Sequence, residues 1–347
     1  MTANLFTPLA LSAQTAYAQL LENLQWAEMS RGVADAPGSF NCKTVSGKRY
    51  WYYQYRDLNN KLCQAYLGPD SPELEALVAQ RKAAPANGPD PAQQQVLVQS
   101  AHKLGCMTVS LPHLRIIRRL GDAGFFRAGG VLVGTHAFLC AGNMLGVRWG
   151  DASRTQDLDF AHAGKNMQVA LHSTATLDLG GVIESLQMGF VPVSSLDGIR
   201  GGRWVNPKDP AFMLDFLTPM DRTEKELVHV AAFGAEFQAL RFMEFSLEDV
   251  QTAAVFAGMQ ACLVNIPNPA RMAVHKLIVS GLRSTSMRTK ASKDIQQAAM
   301  LWTWYEQNDP TAIARAEEDA RARGPKWRKY LDEGQAQMQR FLKSPNA

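Results

Sequence analysis

The sequence has no CxxC pair, no internal repeat, no apolar run of membrane-crossing length and no strong excess of either charge. Its five cysteines, Cys42, Cys63, Cys106, Cys140 and Cys262, are scattered and odd in number, which speaks against a disulfide framework or a zinc site. Reduced, mostly buried thiols are the expectation. Nothing approaches the roughly 18 to 20 consecutive apolar residues that a bilayer demands. The first residues, MTANLFTPLALSAQTAYAQLLENLQ, carry no early basic residue, so a signal peptide is not expected. Instead Leu9, Leu11, Tyr17, Leu20, Leu21 and Leu24 recur at helical spacing and predict an amphipathic helix. A net charge of +4 permits an anionic partner without demanding one. The expectation is a soluble, cytoplasmic protein with no membrane partner.

What is present is ordinary globular composition, 46% apolar and 20% charged. At 347 residues the chain is long for one core, so two or three domains are expected. The stretch AAPANGPDPA concentrates Pro, Ala, Gly and Asn and marks the clearest boundary. It separates an N-terminal helix and aromatic hairpin module (1–84) from an α/β unit (93–245), which a helical C-terminal domain (246–347) follows. In the first module two aromatic runs flank the turn Asp57-Leu58-Asn59-Asn60, and Ser71 before Pro72 predicts a helix start. Gln93 to Ala123 is helical in pattern, interrupted near Pro112. In the α/β unit the apolar runs GGVLVG, DLDFA, GFVPV and AFMLDFLTP read as strands, with one helical stretch, NMQVALHSTATLDLGGVIESLQ. Beyond it SLEDVQTAAVFAG, NPARMAVHKLIVSGLR and SKDIQQAAMLWTWYEQN read as helices, with Ser246 and Ser292 as N-caps of the first and third. The charged tail from Asp309 reads as a solvent-exposed helical element. The fold class is therefore α/β (α+β): a small mixed sheet flanked by helices, a helical C-terminal domain and an N-terminal helix and hairpin module.

Three pieces of the α/β unit carry chemistry together. Gly134-Thr135 follows the apolar run Val131 to Val133, and a strand ending in Gly and a hydroxyl residue before a helix offers free N–H groups to a phosphate. In Asp157-Leu158-Asp159-Phe160 the two acids, at i and i+2 of a strand, lie on one face about 6.5 to 7 Å apart. Two such carboxylates repel unless cations join them, and their hard oxygens favour Mg²⁺, with Mn²⁺ an alternative. Asp215 is the lone acid in Ala211 to Leu217, where an unpartnered carboxylate is expensive. If its strand adjoins that of Asp157 and Asp159, the three would hold two metals roughly 3.5 to 4 Å apart, and Asp215 could instead serve as the base. Each piece also has a plain reading: a solvated strand end, a loop cap, or an arginine pair for Asp215.

The ordered set, strand-Gly-Thr-x-Ala, then Asp-Leu-Asp, then a lone Asp in a later strand, resembles the polymerase-β-type nucleotidyltransferase superfamily. It is most similar to a bacterial branch of nucleotidyltransferase-fold proteins related to AbiEii/MenT-type toxins, strongest from about Ala128 to Ala299. Arg154 to Asp159 matches that branch's Arg-Thr/Ser-x-Asp-h-Asp stretch, and His275-Lys276-Leu277, Arg283 and Lys293-Asp294 match its later helices. Two departures stand out. AGNMLGVRWGDAS lengthens the interval between Gly134 and Asp157, and Thr135 stands where serine is commoner. The resemblance implies an NTP as substrate and Mg²⁺-dependent transfer, with Asp157, Asp159 and Asp215 as metal-binding and catalytic residues. Nucleotide contacts would come from Gly134, Thr135, Arg154, Lys276 and Lys293. Physically, the two lysines suit the charge that builds on a leaving polyphosphate, and the Arg154 fork suits a phosphate; each is otherwise a solvated charge. Asp294 reads as an acid in a first helical turn. His136, His162, His172 and His275 lack metal-ligand spacing and read as packing residues.

The acceptor is less legible. Lys48, Arg49 and Arg56 interleave with Tyr50, Trp51, Tyr52, Tyr53 and Tyr55, as do Lys326, Arg328 and Lys329 with Trp327. Both sets suit base stacking and phosphate contact or, equally, amphipathic packing. An active transferase acting on an RNA end (tRNA among them) or a protein hydroxyl, an inactive nucleic-acid-binding or regulatory relative, and a structural partner protein all stand at this point. A cognate antitoxin or regulatory partner is a further expectation of the resemblance.

Overall fold

The computed structural model describes residues 5–30, 38–45, 47–56, 62–72, 75, 78, 90–150, 156–163, 177–194, 200–282 and 288–343. It is a mixed α+β protein. Phe6–Pro8 forms strand β1 and Leu11–Ser30 the first helix, α1. Leu9, Tyr17, Leu20 and Leu24 are buried as their spacing predicts, while Leu11 faces outward. The aromatic module is a three-stranded meander: β2 (Gly38–Val45) pairs antiparallel with β3 (Lys48–Arg56), which pairs with β4 (Leu62–Pro69). The hairpin of the sequence reading is β3–β4, and the added strand β2 comes from GSFNCKTV, whose mixed pattern hid it. The turn Asp57 to Asn60 lies outside the described residues. Trp51 is buried and donates its indole N–H to Asp70 at 2.6 Å.

The helical pattern beyond the Pro- and Ala-rich stretch is two helices, α2 (Pro91–Lys103) and α3 (Leu111–Asp122), capped by the side chains of Asp90 and Ser110. The break lies before Pro112, which sits in the first turn, where its missing N–H costs nothing. β5 (Val131–Val133) runs directly into α4 (Gly134–Met144), and β6 (Val147–Trp149) pairs antiparallel with β1. β7 (Leu158–Ala161) follows. Of the helix expected over 166–187, the described part is α5 (Leu179–Glu184). β8 (Val191–Ser194), β9 (Arg200–Asn206), β10 (Asp209–Pro219), β11 (Leu227–Val230) and β12 (Ala235–Leu240) complete a mixed sheet. Its order is β11-β12-β9-β10-β7-β5, with β8 beside β9 and a further β10–β12 pairing. One face is packed by Leu158, Phe160, Leu214 and Phe216, all fully buried. Phe160 and Phe216 stack with centroids 5.3 Å apart, and Phe125, Phe233 and Phe237 continue the aromatic layer. The opposite face carries the site.

One expectation is overturned after the sheet. SLEDVQTAAVFAG is not a helix capped by Ser246. A short helix, α6 (Met243–Leu247), contains Ser246, and Val250–Ala257 is strand β13, paired antiparallel with β14 (Gln260–Pro267). The two-residue turn Gly258-Met259, with Gly258 at φ +60°, is what a tight hairpin needs, and Ala-rich composition masked it. α1 packs on this hairpin and on α2 through Tyr17, Leu20, Val98, Ala254 and Phe256. α7 (Pro269–Leu282), α8 (Arg288–Asn308), α9 (Pro310–Ala322) and α10 (Pro325–Leu342) follow. Ser292 lies inside α8 rather than at its cap, because the helix begins four residues earlier. The tail is not wholly exposed. Trp327, Leu331 and Met338 join the same core as the sheet, and Trp327 packs edge-on against Phe242 with centroids 4.6 Å apart. That burial removes Trp327 as a stacking platform for bases.

Candidate active site

The strand register builds the site. Val133 at the end of β5 is the Cα partner of Asp159 on β7, Asp159 is the partner of Asp215 on β10, and Asp215 is the partner of Arg203 on β9. Directly opposed residues share a face, so these four side chains project together over the open side of the sheet. Asp157 precedes β7 by one residue and joins them, because period two puts it on the face of Asp159. α7 and α8 cover this face. The space between is a cavity of about 410 Å³ whose lining includes Gly134, Thr135, Asp157, Asp159, Asp215, Lys276 and Lys293. Seven of the eight residues singled out in the sequence thus meet in one place; the eighth, Arg154, lies outside the described residues, as do Arg283 and His172.

Each charge in the cavity has a counterpart. Burial, then the neighbouring carboxyls of Asp215 and Asp157, push the Asp159 carboxyl up to about 7. Asp157 is also raised, chiefly by burial, with the ammonium of Lys290 at 4.0 Å opposing the shift. Asp215 is buried and receives both Arg203 nitrogens, at 2.6 and 3.0 Å. Lys276 is buried and donates to Asp294 at 3.1 Å, so Asp294 is an ion-pair partner and not only a first-turn acid. Burial and the nearby Lys276 lower Lys293 from its ordinary value. The Thr135 hydroxyl is buried and accepts from Gln297 at 3.4 Å.

Gly134 is required by this packing. Its φ is +65°, and a Cβ there would stand 2.1 Å from the nearer Asp159 oxygen. The glycine lets the backbone touch the carboxylate and turn into α4, whose first residues have no side-chain cap. Of the histidines, His136 and His162 are buried as expected, His136 against His113 at 2.9 Å. His275 differs, since it lines the cavity.

Sequence reading missed Arg203, Lys290 and Ser246, all of which line the cavity. The signal for Arg203 was indirect: a buried Asp215 demands a counter-charge, and GGRWVN is a short strand-like run just before it.

Among the described residues no three His, Cys, Asp or Glu side chains form a ready-made metal cage. Mg²⁺ does not require one, because it takes one or two protein carboxylates and completes its octahedron with water and phosphate oxygens. Asp157 and Asp159 meet that requirement: they are adjacent, partly desolvated and short of positive charge.

No helix among the described residues is long and apolar enough to cross a membrane. Residues 15–76 match the model of a domain of unknown function. No curated protein matches the chain. The crystal structure of an antigenic nucleotidyltransferase-like protein from Paracoccidioides brasiliensis is similar at 14% identity, over 65% of this chain and 95% of that one. Its TM-score of 0.32 is too low to carry an argument about the fold. The decisive match is to the model of a nucleotidyltransferase family; it runs over residues 112–322, from α3 to the end of α9, and the chain belongs to that family.

Proposed function

We propose that the protein transfers a nucleotide from an NTP to a hydroxyl of an RNA, tRNA among the candidates, or of a protein. The observation that carries this reading is the register that sets Asp159 beside Asp215, with Asp157 on the same cavity. Asp157 and Asp159 are assigned as the Mg²⁺ ligands, with Mn²⁺ able to replace it, and Asp215 as a further ligand or as the base. When bound, the metal would neutralise phosphate charge and brace the leaving pyrophosphate. The backbone N–H groups that open α4 point at the phosphates, joined by the Thr135 hydroxyl. Lys293 and Lys276 face the β- and γ-phosphates, and Arg154 is assigned to the same anion by resemblance alone. In the reaction the acceptor oxygen bonds to the α-phosphorus, the α–β bridging bond breaks, and pyrophosphate leaves. Asp215 receives the acceptor's proton when it serves as base.

A second reading, an inactive fold that binds or regulates, is favoured by one observation: both Asp215 oxygens are committed to Arg203. The likeness to AbiEii/MenT-type toxins rests on Asp157 to Asp159 and on His275 to Leu277, and adds a cognate antitoxin and a cytoplasmic setting to what is proposed.

The test is to incubate the protein with Mg²⁺ and labelled NTPs in a cell extract. The wild type is expected to label a component, and Asp157→Ala to lower labelling by more than about 100-fold, beyond what mutating a metal ligand's supporting residue costs. RNase or protease treatment then separates the two acceptor classes. An unlabelled extract, or a fully active Asp157→Ala, ends the catalytic reading.

A further inference from the structure

The cavity has two ends of opposite chemistry. One holds the aspartates, Lys276, Lys290 and Lys293. The other is walled by Leu217, Leu240, Met243, Met272 and Val279, with two uncharged hydrogen-bonding groups, Ser246 and Gln238, set among them. Its geometry follows from the elements. Leu217 on β10 is the register partner of Gln238 on the parallel strand β12. Met272, Lys276 and Val279 lie on one face of α7 by their i, i+4, i+7 spacing.

Ser246 is the notable member. It is 2% exposed, it lines the cavity, and its hydroxyl has no hydrogen-bond partner among the described residues. A buried hydroxyl left unpaired is a standing cost to the fold, and proteins rarely carry one without use. The segment that holds it is also strained. Phe242, just before α6, has φ +68°, a left-handed conformation that a large aromatic residue seldom adopts. Trp327 and Tyr330 clamp the Phe242 ring from two sides and hold that conformation in place. The result is a single helical turn that presents Met243 and Ser246, at i and i+3, to the same space.

We propose that this apolar end is the seat of the nucleobase and that Ser246 is the residue that reads its edge. The inference rests on the nucleotide reading given above and goes beyond it in naming the specificity determinant. A planar heteroaromatic ring matches the lining. It is apolar on its faces, where the polarisable methionine sulfurs make contact, and it carries donors and acceptors only at its edge. Because a hydroxyl can both donate and accept, its preference is set by which base edge the fixed Ser246 meets.

The experiment measures the affinity of wild type and Ser246→Ala for each of the four NTPs and for inorganic tripolyphosphate, all with Mg²⁺. Removal of an unpaired hydroxyl does not threaten folding, and the melting temperature of the ligand-free variant is expected to be unchanged or higher. The expected result is a loss of roughly 5- to 10-fold for the preferred NTP, the worth of one hydrogen bond, which narrows the spread among the four. Tripolyphosphate affinity should not change. Equal losses for all four NTPs and for tripolyphosphate would place Ser246 at the phosphates and overturn the assignment. An unchanged ranking in the variant overturns it too, while leaving the nucleotide reading intact. If the wild type binds neither any NTP nor tripolyphosphate, both readings fall together.

Discussion

Arg203 grips both carboxylate oxygens of Asp215 across the β9–β10 pairing, Nε at 2.6 Å and a terminal guanidinium nitrogen at 3.0 Å. The fork lies beside Asp159 and Asp157, so one arginine offsets much of the charge of a three-acid cluster. The planar guanidinium matches a carboxylate in two bonds at once, which a lysine could not do.

Arg203→Gln should therefore destabilise the protein. Breaking a fully buried pair costs about 3–5 kcal/mol, and an exposed one is worth about 1 kcal/mol or less. Asp215 is buried but the Arg203 side chain is 39% exposed, so a loss of about 2 kcal/mol in urea denaturation is expected. Adding Asp215→Asn to the same chain should recover most of it. Additive losses in the double variant would show that the pair is not what holds these strands.

Gly134→Ala tests the contact between the backbone and Asp159. A left-handed φ costs an ordinary residue about 1–2 kcal/mol, and here the new methyl would also collide with the carboxylate. Lower melting temperature and loss of Mg²⁺-dependent labelling should appear together. Wild-type labelling by this variant would mean that the close approach of Gly134 and Asp159 does not matter to the site.

His136 supplies a pH dependence. Burial first, then His113 and Lys293, drop its imidazole from 6.5 to about 3. The folded protein keeps the ring neutral while the unfolded chain takes up a proton below 6.5. Stability from this group is thus complete above pH 6.5 and is lost as the pH falls towards 3, at a slope of about 1.4 kcal/mol per pH unit. His113 is also lowered by burial and adds to the effect. Urea midpoints measured across this range should fall less steeply for His136→Asn than for the wild type. Parallel curves would contradict the assignment.

How much of this was legible differs from residue to residue. Asp157 and Asp159 were readable because strand periodicity is local: two acids flanking a leucine in an apolar run can only share a face. Gly134 was readable because a glycine at a strand-to-helix junction signals a backbone requirement. β13 was misread because QTAAVFA is short and alanine-rich, and short apolar runs do not separate helix from strand by pattern. Ser246 was misassigned as a cap for the same reason. Trp327 among basic residues looked like a stacking surface, whereas packing against Phe242 and Phe245 buries it.

Local order alone determined the acids, the glycine turn, the apolar strands and the amphipathic first helix, since each depends on neighbours within a few residues. Which acid stands opposite which, the arrival of Arg203 at Asp215, the pairing of Lys276 with Asp294, and the seating of Ser246 in the cavity were decided only in three dimensions. Strand register and helix packing join residues far apart in the chain, and the energy of a buried charge depends on the partner that folding brings to it.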